Sequence, residues 1–277
     1  MVEATLQTTD GLALFIRRWP VDQLRGAVLI LHGLGEHSGR YAHVAAALNE
    51  LGLEVWCYDQ RGSGRTKGRR GDIPQHDALL DDAKLVFDKL AEATGTTPFL
   101  LGHSMGGTIA ARSVTGGWIR PRGLVLSSPS LRANLSRFQQ WQLALGWRLT
   151  PGLALPHALP VQYVSRDAQV VSDYLNDPLV HGKITPRLAY AIIDAGAQSL
   201  HNADKLRVPT LLLVAGDDRL VNAGGSRELA NKLPPELVTL LWYEGFYHEV
   251  FNEPAPDRAR VLRDLSEWVE LQLTSVD

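Results

Sequence analysis

Short runs of apolar residues alternate along most of the chain with longer segments in which apolar residues recur every three or four positions. The short runs are apolar on both sides, which is typical of strands buried in a parallel sheet. We predict such strands over residues 26–33, 53–59, 97–103, 122–128, 208–216 and 237–243. The periodic segments predict helices over residues 40–51, 75–94, 105–116, 224–233 and 256–273. This alternation implies right-handed crossovers and a doubly wound α/β fold.

The N-terminal segment follows a different pattern. Leu12, Leu14 and Ile16 alternate directly after Asp10-Gly11, a dipeptide that suits tight turns. We therefore predict that the first strands form a β-hairpin.

Residues 130–185 break the alternation of strands and helices. Leu, Trp and Pro are frequent there, and the apolar residues recur at near-helical spacing. Because the segment follows a strand at the edge where open sheets place ligands, we predict a largely helical cap over that edge. The core would then consist of residues 1–129 and 186–277. An ordinary amphipathic helix packed on the core is the alternative.

Composition and charge narrow the function classes. The chain has 277 residues, with 28 Lys and Arg against 30 Asp and Glu, and the net charge of −2 argues against nucleic-acid binding. Apolar residues make up 45% and charged residues 21%, as in soluble globular proteins. No apolar run approaches the roughly 18 residues of a membrane span. The N-terminus lacks the pattern of a signal peptide, so we expect a cytoplasmic protein. Because Cys57 is the single cysteine, we expect no internal disulfide.

Residues 102–106, GHSMG, match the pattern G-x-S-x-G. A predicted strand precedes them and a predicted helix follows, which is the context in which the serine occupies a sharp turn with its Oγ exposed. Neighbours two residues away collide in such a turn unless they lack side chains, which explains Gly102 and Gly106. We therefore predict that Ser104 is a nucleophile. The alternative is a glycine-rich turn with an unreactive serine.

A serine nucleophile needs a base and a group that orients the base. His248 follows the last predicted strand through a short loop, from which an imidazole can reach the serine. Asp217 and Asp218 follow another strand and are the candidate carboxylates. Either gives the chain order serine, acid, histidine.

An oxyanion formed at the serine needs two backbone N–H donors. We assign one to Met105, directly after the nucleophile, and the other to Leu34, in the loop after the first buried strand. Each such donor is worth about 10²–10³ in rate.

Three segments carry a resemblance to a known family. Residues 32–41 read HGLGEHSGRY, residues 59–64 read DQRGSG and residues 102–107 read GHSMGG. They resemble the HGxGEHSGRY signature, the DxRGxGxSxGxRG loop and the GHSMGG elbow of monoacylglycerol lipases and related lysophospholipase-like α/β-hydrolases. Thr66 stands where the loop usually has serine.

The C-terminal part of the chain extends the resemblance. Residues 218–221, DRLV, resemble the acid motif of the family and select Asp218 over Asp217. Tyr247 and His248, with Glu253 five residues later, resemble its YHxLxxE motif, with valine in place of the leucine.

The resemblance implies an α/β-hydrolase fold and a serine hydrolase of carboxylic esters that uses no metal and no cofactor. Ser104, Asp218 and His248 would form the catalytic triad. The expected reaction converts monoacylglycerols to fatty acid and glycerol through an acyl-enzyme intermediate. A lysophospholipase, a short-chain or aromatic carboxylesterase and a peptidase remain alternatives, because they share this chemistry. A ligand sensor on the same scaffold is disfavoured by the complete triad.

The cap is where the substrate is chosen, and its apolar residues are the candidates for acyl-chain contacts. We expect Phe138, Trp141 and Leu145, with Leu34 from the core, to line an apolar tunnel. Apolar cap residues that face outward would contact a membrane surface transiently, as a peripheral protein does. The oligomeric state is left open.

Two further motifs resemble a dinucleotide-binding and a zinc-binding pattern, but each lacks a required residue. Gly33-Leu34-Gly35 follows a strand as a dinucleotide-binding motif does, but Ser38 occupies the position of the third glycine. His248 and Glu249 begin like a zinc-binding helix, but Asn252 replaces the second histidine. We therefore expect neither NAD nor zinc.

Overall fold

A mixed, mostly parallel sheet forms the centre of the fold. The computed structural model describes residues 1–133, 136–157 and 159–274, and within them ten strands occur. The strands are β1 Val2–Gln7, β2 Ala13–Trp19, β3 Gly26–Leu31, β4 Leu53–Tyr58, β5 Phe99–His103, β6 Leu124–Ser127, β7 Leu155–Pro156, β8 Lys183–Ile184, β9 Thr210–Ala215 and β10 Val238–Tyr243. Eight of them form the sheet in the order β1-β2-β4-β3-β5-β6-β9-β10. From β4 to β10 every neighbouring pair is parallel.

Helices cover both faces of this sheet. In the described ranges they are α1 Ala42–Asn49, α2 Ala78–Thr94, α3 Met105–Thr115, α4 Arg137–Leu149, α5 Ala168–Asn176, α6 Pro186–His201, α7 Gly224–Lys232 and α8 Ala255–Thr274. Leu29 and Leu31 of β3 pack with α2, α3 and α6, whereas Val28 and Ile30 point to the other face and pack with α1 and α8. The predicted doubly wound arrangement is confirmed.

None of these helices combines the length and apolar character that crossing a bilayer requires, as far as the described residues go.

The N-terminal hairpin is present as predicted. β1 and β2 are antiparallel, with Val2 opposite Arg18 and Gln7 opposite Ala13. The turn between them places Gly11 at φ +81°, a conformation that glycine adopts without strain. β2 also pairs antiparallel with β4, so the hairpin extends the parallel sheet at one edge.

Residues 130–185 contribute no strand to the main sheet in their described part; residues 134, 135 and 158 lie outside the described residues. They contain α4, α5 and the two-residue strands β7 and β8, which pair only with each other. The backbone N–H of His181 donates to Gly35 O at 2.9 Å, and that of Thr185 donates to Gly71 O at 2.9 Å. The insert is therefore attached to loops that follow β3 and β4, at the carboxyl edge of the sheet. Its division from the core at 130 and 185 stays a prediction.

Candidate active site

A sharp turn between β5 and α3 carries Ser104 in a strained conformation of positive φ, with φ 52° and ψ −118°. A Cβ on Gly102 would lie 2.3 Å from Gly106 O, and a Cβ on Gly106 would lie 2.1 Å from Leu31 O. Only glycine is compatible with these two approaches. The sequence GHSMG therefore allows the turn to form, at a backbone cost of about 1–3 kcal/mol for the non-glycine residue in it.

Backbone hydrogen bonds fix this turn against the neighbouring strand. The N–H of Ser104 donates to Ser127 O at 2.9 Å, and Ser104 O accepts the N–H of Thr108 at 3.0 Å. Met105 is the first residue of α3. The first N–H groups of a helix have no partner within it and carry partial positive charge, so the Met105 N–H is suited to bind an anion.

His248 and Asp218 lie in the loops after β10 and β9 and meet in the structure. Nδ1 of His248 is 2.7 Å from Oδ2 of Asp218, and both side chains are buried. The other carboxylate oxygen of Asp218 accepts the N–H groups of Leu220 at 2.9 Å and Val221 at 3.0 Å. Asp217, in contrast, has a half-exposed side chain and pairs with Arg219. The structure thus brings Asp218, and not Asp217, to the imidazole.

The contact between these two groups sets their charges. Burial raises the pKa of Asp218. The opposing charge of His248, its hydrogen bond and the two backbone N–H groups together lower the pKa by more than burial raises it, so the net pKa is below the usual range. Burial is the largest influence on His248 and lowers its pKa, but the charge and hydrogen bond of Asp218 together with the charges of Glu249 and Glu36 outweigh burial, and the net pKa is raised. The pair therefore favours an ionised carboxylate and stabilises a protonated imidazole.

Ser104 and His248 line one small cavity beneath the insert. Gly33 and Leu34 also line it, and a Cβ on Gly33 would lie 3.3 Å from the Cβ of Ser104. The loop that holds Leu34 therefore passes directly beside the serine. The volume of about 30 Å³ is enough for one or two water molecules and far too small for an acyl chain.

The structure does not bring the three predicted cap residues to this cavity. The exposed fractions of Phe138, Trp141 and Leu145 are 63%, 60% and 41%, and none of them is among its lining residues. The reason is the orientation of α4, because Trp147 on its other face stacks on Tyr190 of α6 with ring centroids 5.2 Å apart. Helical periodicity identified the apolar side chains of α4 but not the direction in which they point.

A buried ionic network stabilises the loop beside the serine. Glu36 Oε1 accepts the N–H of Gly33 at 2.5 Å and the hydroxyl of Tyr41 at 2.7 Å. Arg40 donates to Glu36 Oε2 at 2.7 Å and to both carboxylate oxygens of Glu249 at 2.7 Å. Since Glu249 is adjacent to His248, Arg40 connects the loop of Leu34 to the loop of the imidazole.

His103 also lies in the wall of the cavity, although a residue next to Ser104 in the turn is expected to point away from it. Its Nδ1 is 3.1 Å from Ser127 Oγ, and its ring centroid is 4.8 Å from that of His248. Burial, together with the nearby His248, lowers the pKa of His103 to about 4, so this ring is neutral at pH 7. In the described residues, no group of three His, Cys, Asp or Glu side chains is arranged to hold a metal ion.

Comparison with known proteins places these features in a family. The family described as serine aminopeptidase, S33 (Hydrolase_4), matches residues 22–255. The monoacylglycerol lipase of Mycolicibacterium smegmatis is 36% identical over 249 residues, which cover 88% of each chain. This chain belongs to the serine aminopeptidase S33 family.

Two further similar proteins extend the comparison. Phospholipase YtpA of Bacillus subtilis is 30% identical over 245 residues, covering 85% of this chain and 92% of the relative. The crystal structure of Paleococcus ferrophilus monoacylglycerol lipase has 32% sequence identity and a TM-score of 0.85, over 94% of this chain and 99% of that one. The α/β-hydrolase fold that the motifs implied is confirmed.

The family signature at residues 32–41 includes residues to which the sequence reading gave no role. Glu36 and Arg40 are separated by four positions, which suits a local ion pair, but this spacing is common on solvated surfaces. Their burial and the third partner, Glu249, become visible only when loops about 200 residues apart meet. The sequence signal that could have indicated this network is the glycine-rich loop followed by a glutamate, an arginine and a tyrosine.

We expect Arg40→Met to reduce the free energy of unfolding by about 3–5 kcal/mol, because it leaves two buried carboxylates without their cation. The matched control is Arg25→Met, which breaks the exposed ion pair with Glu270 and should leave the free energy of unfolding almost unchanged. Urea titration of the three proteins measures both values. An equal loss of unfolding free energy in the two variants would contradict the proposal that the network stabilises the fold.

Proposed function

We propose that this chain is a serine hydrolase of carboxylic esters that converts monoacylglycerols to fatty acid and glycerol. The observation that carries the proposal is the buried pair of Asp218 and His248 at the same cavity as the strained Ser104. The similarity to monoacylglycerol lipases over most of the chain supports the same substrate class.

In the proposed reaction Ser104 Oγ attacks the acyl carbon while Nε2 of His248 takes its proton. Asp218 is ionised and can only accept, so its contact with Nδ1 keeps the proton on that nitrogen and leaves Nε2 as the base. The N–H groups of Leu34 and Met105 would bind the oxyanion.

The same imidazole completes the cycle. His248 then donates the proton to the leaving glycerol oxygen, and an acyl-enzyme remains on Ser104. Water activated by His248 releases the fatty acid and restores the serine.

A lysophospholipase is the second candidate, because the relative from B. subtilis is named a phospholipase. A general carboxylesterase or a peptidase would use the same triad, and the family description includes an aminopeptidase. The alcohol or amine that leaves distinguishes these activities.

A substrate panel tests the proposal. We expect purified protein to give its highest kcat/KM on monoacylglycerol, compared with diacylglycerol, lysophosphatidylcholine, an aryl ester and an aminoacyl anilide of matched concentration. Ser104→Ala should lower turnover by about 10⁶-fold, since it removes the nucleophile. Ser172→Ala, at an exposed position of α5, is the control and should retain full activity. Faster turnover of another substrate would reject the monoacylglycerol assignment, and residual turnover by Ser104→Ala would reject the nucleophile.

We also propose that residues 130–185 act as a cap that contacts lipid surfaces through α4. Its exposed side includes Phe138, Trp141, Leu145 and Leu149, and the rings of the first two stack with centroids 6.1 Å apart. Contiguous apolar side chains on a surface favour contact with apolar partners, and tryptophan is well suited to a membrane interface. Since the cavity at Ser104 is too small for an acyl chain, this contact would coincide with movement of the cap.

Flotation with phosphatidylcholine vesicles tests the lipid contact. The double variant Phe138→Ser, Trp141→Ser should float at least about fivefold less than the unmodified protein, because it removes the two largest exposed apolar side chains of α4. Leu24→Ser, which changes an exposed leucine far from the cap in sequence, should float like the unmodified protein. Equal flotation of all three proteins would contradict the proposal.

A further inference from the structure

His157 is a partly buried histidine in the wall of the cavity that the mechanism does not use. It follows β7 and lines the cavity together with Ser104 and His248. Neither of its ring nitrogens has a hydrogen-bond partner among the described residues, although both are shielded from solvent. Polar atoms shielded from solvent are almost always paired, and the backbone of His157 and His181 gives this ring only contacts outside hydrogen-bond geometry, so the ring is suited to a partner that the folded chain does not provide.

The backbone, and not the ring, holds His157 in place. Its N–H donates to Gly182 O at 2.8 Å, and the N–H of the neighbouring His181 donates to Gly35 O at 2.9 Å. A Cβ on Gly35 would lie 3.5 Å from Nε2 of His157. The imidazole is therefore positioned against the glycine that follows Leu34, next to the place where an ester would bind.

The other two histidines of the cavity differ in this respect. His103 contacts Ser127, and His248 contacts Asp218, so each has one ring nitrogen engaged by the protein. Burial lowers the pKa of His157, which makes its ring neutral at pH 7. A neutral imidazole offers one donor and one acceptor.

A hydroxyl group is the chemical complement of such a ring, because it both donates and accepts. A carboxylate or phosphate would find no positive charge, and an alkyl group would leave the nitrogens unpaired. We propose that His157 hydrogen bonds a free hydroxyl of the alcohol part of the ester and so selects polyol esters over plain alkyl esters. This inference rests on the proposed function and adds a specificity-determining residue to it.

The test compares two esters with one acyl chain, monodecanoylglycerol and ethyl decanoate. We expect His157→Leu to lower kcat/KM about tenfold on monodecanoylglycerol and to leave ethyl decanoate within about twofold, because the ethyl ester has no hydroxyl to lose. His157→Gln keeps a donor and an acceptor and should retain most of the preference for the glycerol ester. His181→Leu is the matched control, since its Nε2 is also buried and unpaired but its side chain is not among those that line the cavity.

Three results would overturn the inference. They are a parallel loss on both esters, no loss on either ester, and the same selective loss in His181→Leu. Unfolding temperature adds an independent readout: removing an unpaired buried ring should leave it unchanged or higher, and a fall of several degrees would show that the protein itself pairs the ring. If the unmodified protein hydrolyses neither ester, the proposed function fails first, and the inference fails with it.

Discussion

The strained backbone of Ser104, with its positive φ, is the constraint on which the rest of the site depends. That conformation is unfavourable for a serine, and it persists because the end of β5 and the start of α3 are fixed by neighbouring strands. Gly102 and Gly106 allow the close approaches that the turn requires, one of them to the carbonyl of Leu31 at the end of β3. The central parallel strands therefore determine where the hydroxyl of Ser104 lies.

The loops around Ser104 are held by buried charges. The arrangement places Asp218, Glu36 and Glu249 within one region, which would be strongly unfavourable without compensating cations and hydrogen bonds. Arg40 provides the compensation for the two glutamates, and the imidazole of His248 provides it for Asp218. The pair with Asp218 that makes burial of His248 tolerable also orients its imidazole, so stability and the proposed chemistry depend on the same contact.

Much of this could be predicted from the sequence because the signals are local. Alternating apolar runs predicted the strands, and the glycines around Ser104 predicted the turn, since sterics within five residues require them. The Glu36–Arg40–Glu249 network and the cavity position of His157 could not be predicted, because they depend on loops far apart in the chain. The side chains of Phe138 and Trp141 were recognised as apolar, but the packing of α4 on α6 decides that they face outward.

The central claim is that His248, oriented by Asp218, activates Ser104, and the pH dependence of inactivation by a fluorophosphonate tests it most directly. Only neutral His248 can act as base, so the rate should rise with pH through the raised pKa of that residue, with a midpoint above the ordinary value of 6.5. Mass spectrometry should place the adduct on Ser104. In Asp218→Asn the midpoint should move to lower pH and the rate should fall by roughly 10⁴-fold. An adduct elsewhere, or a pH profile that Asp218→Asn leaves unchanged, would contradict the account.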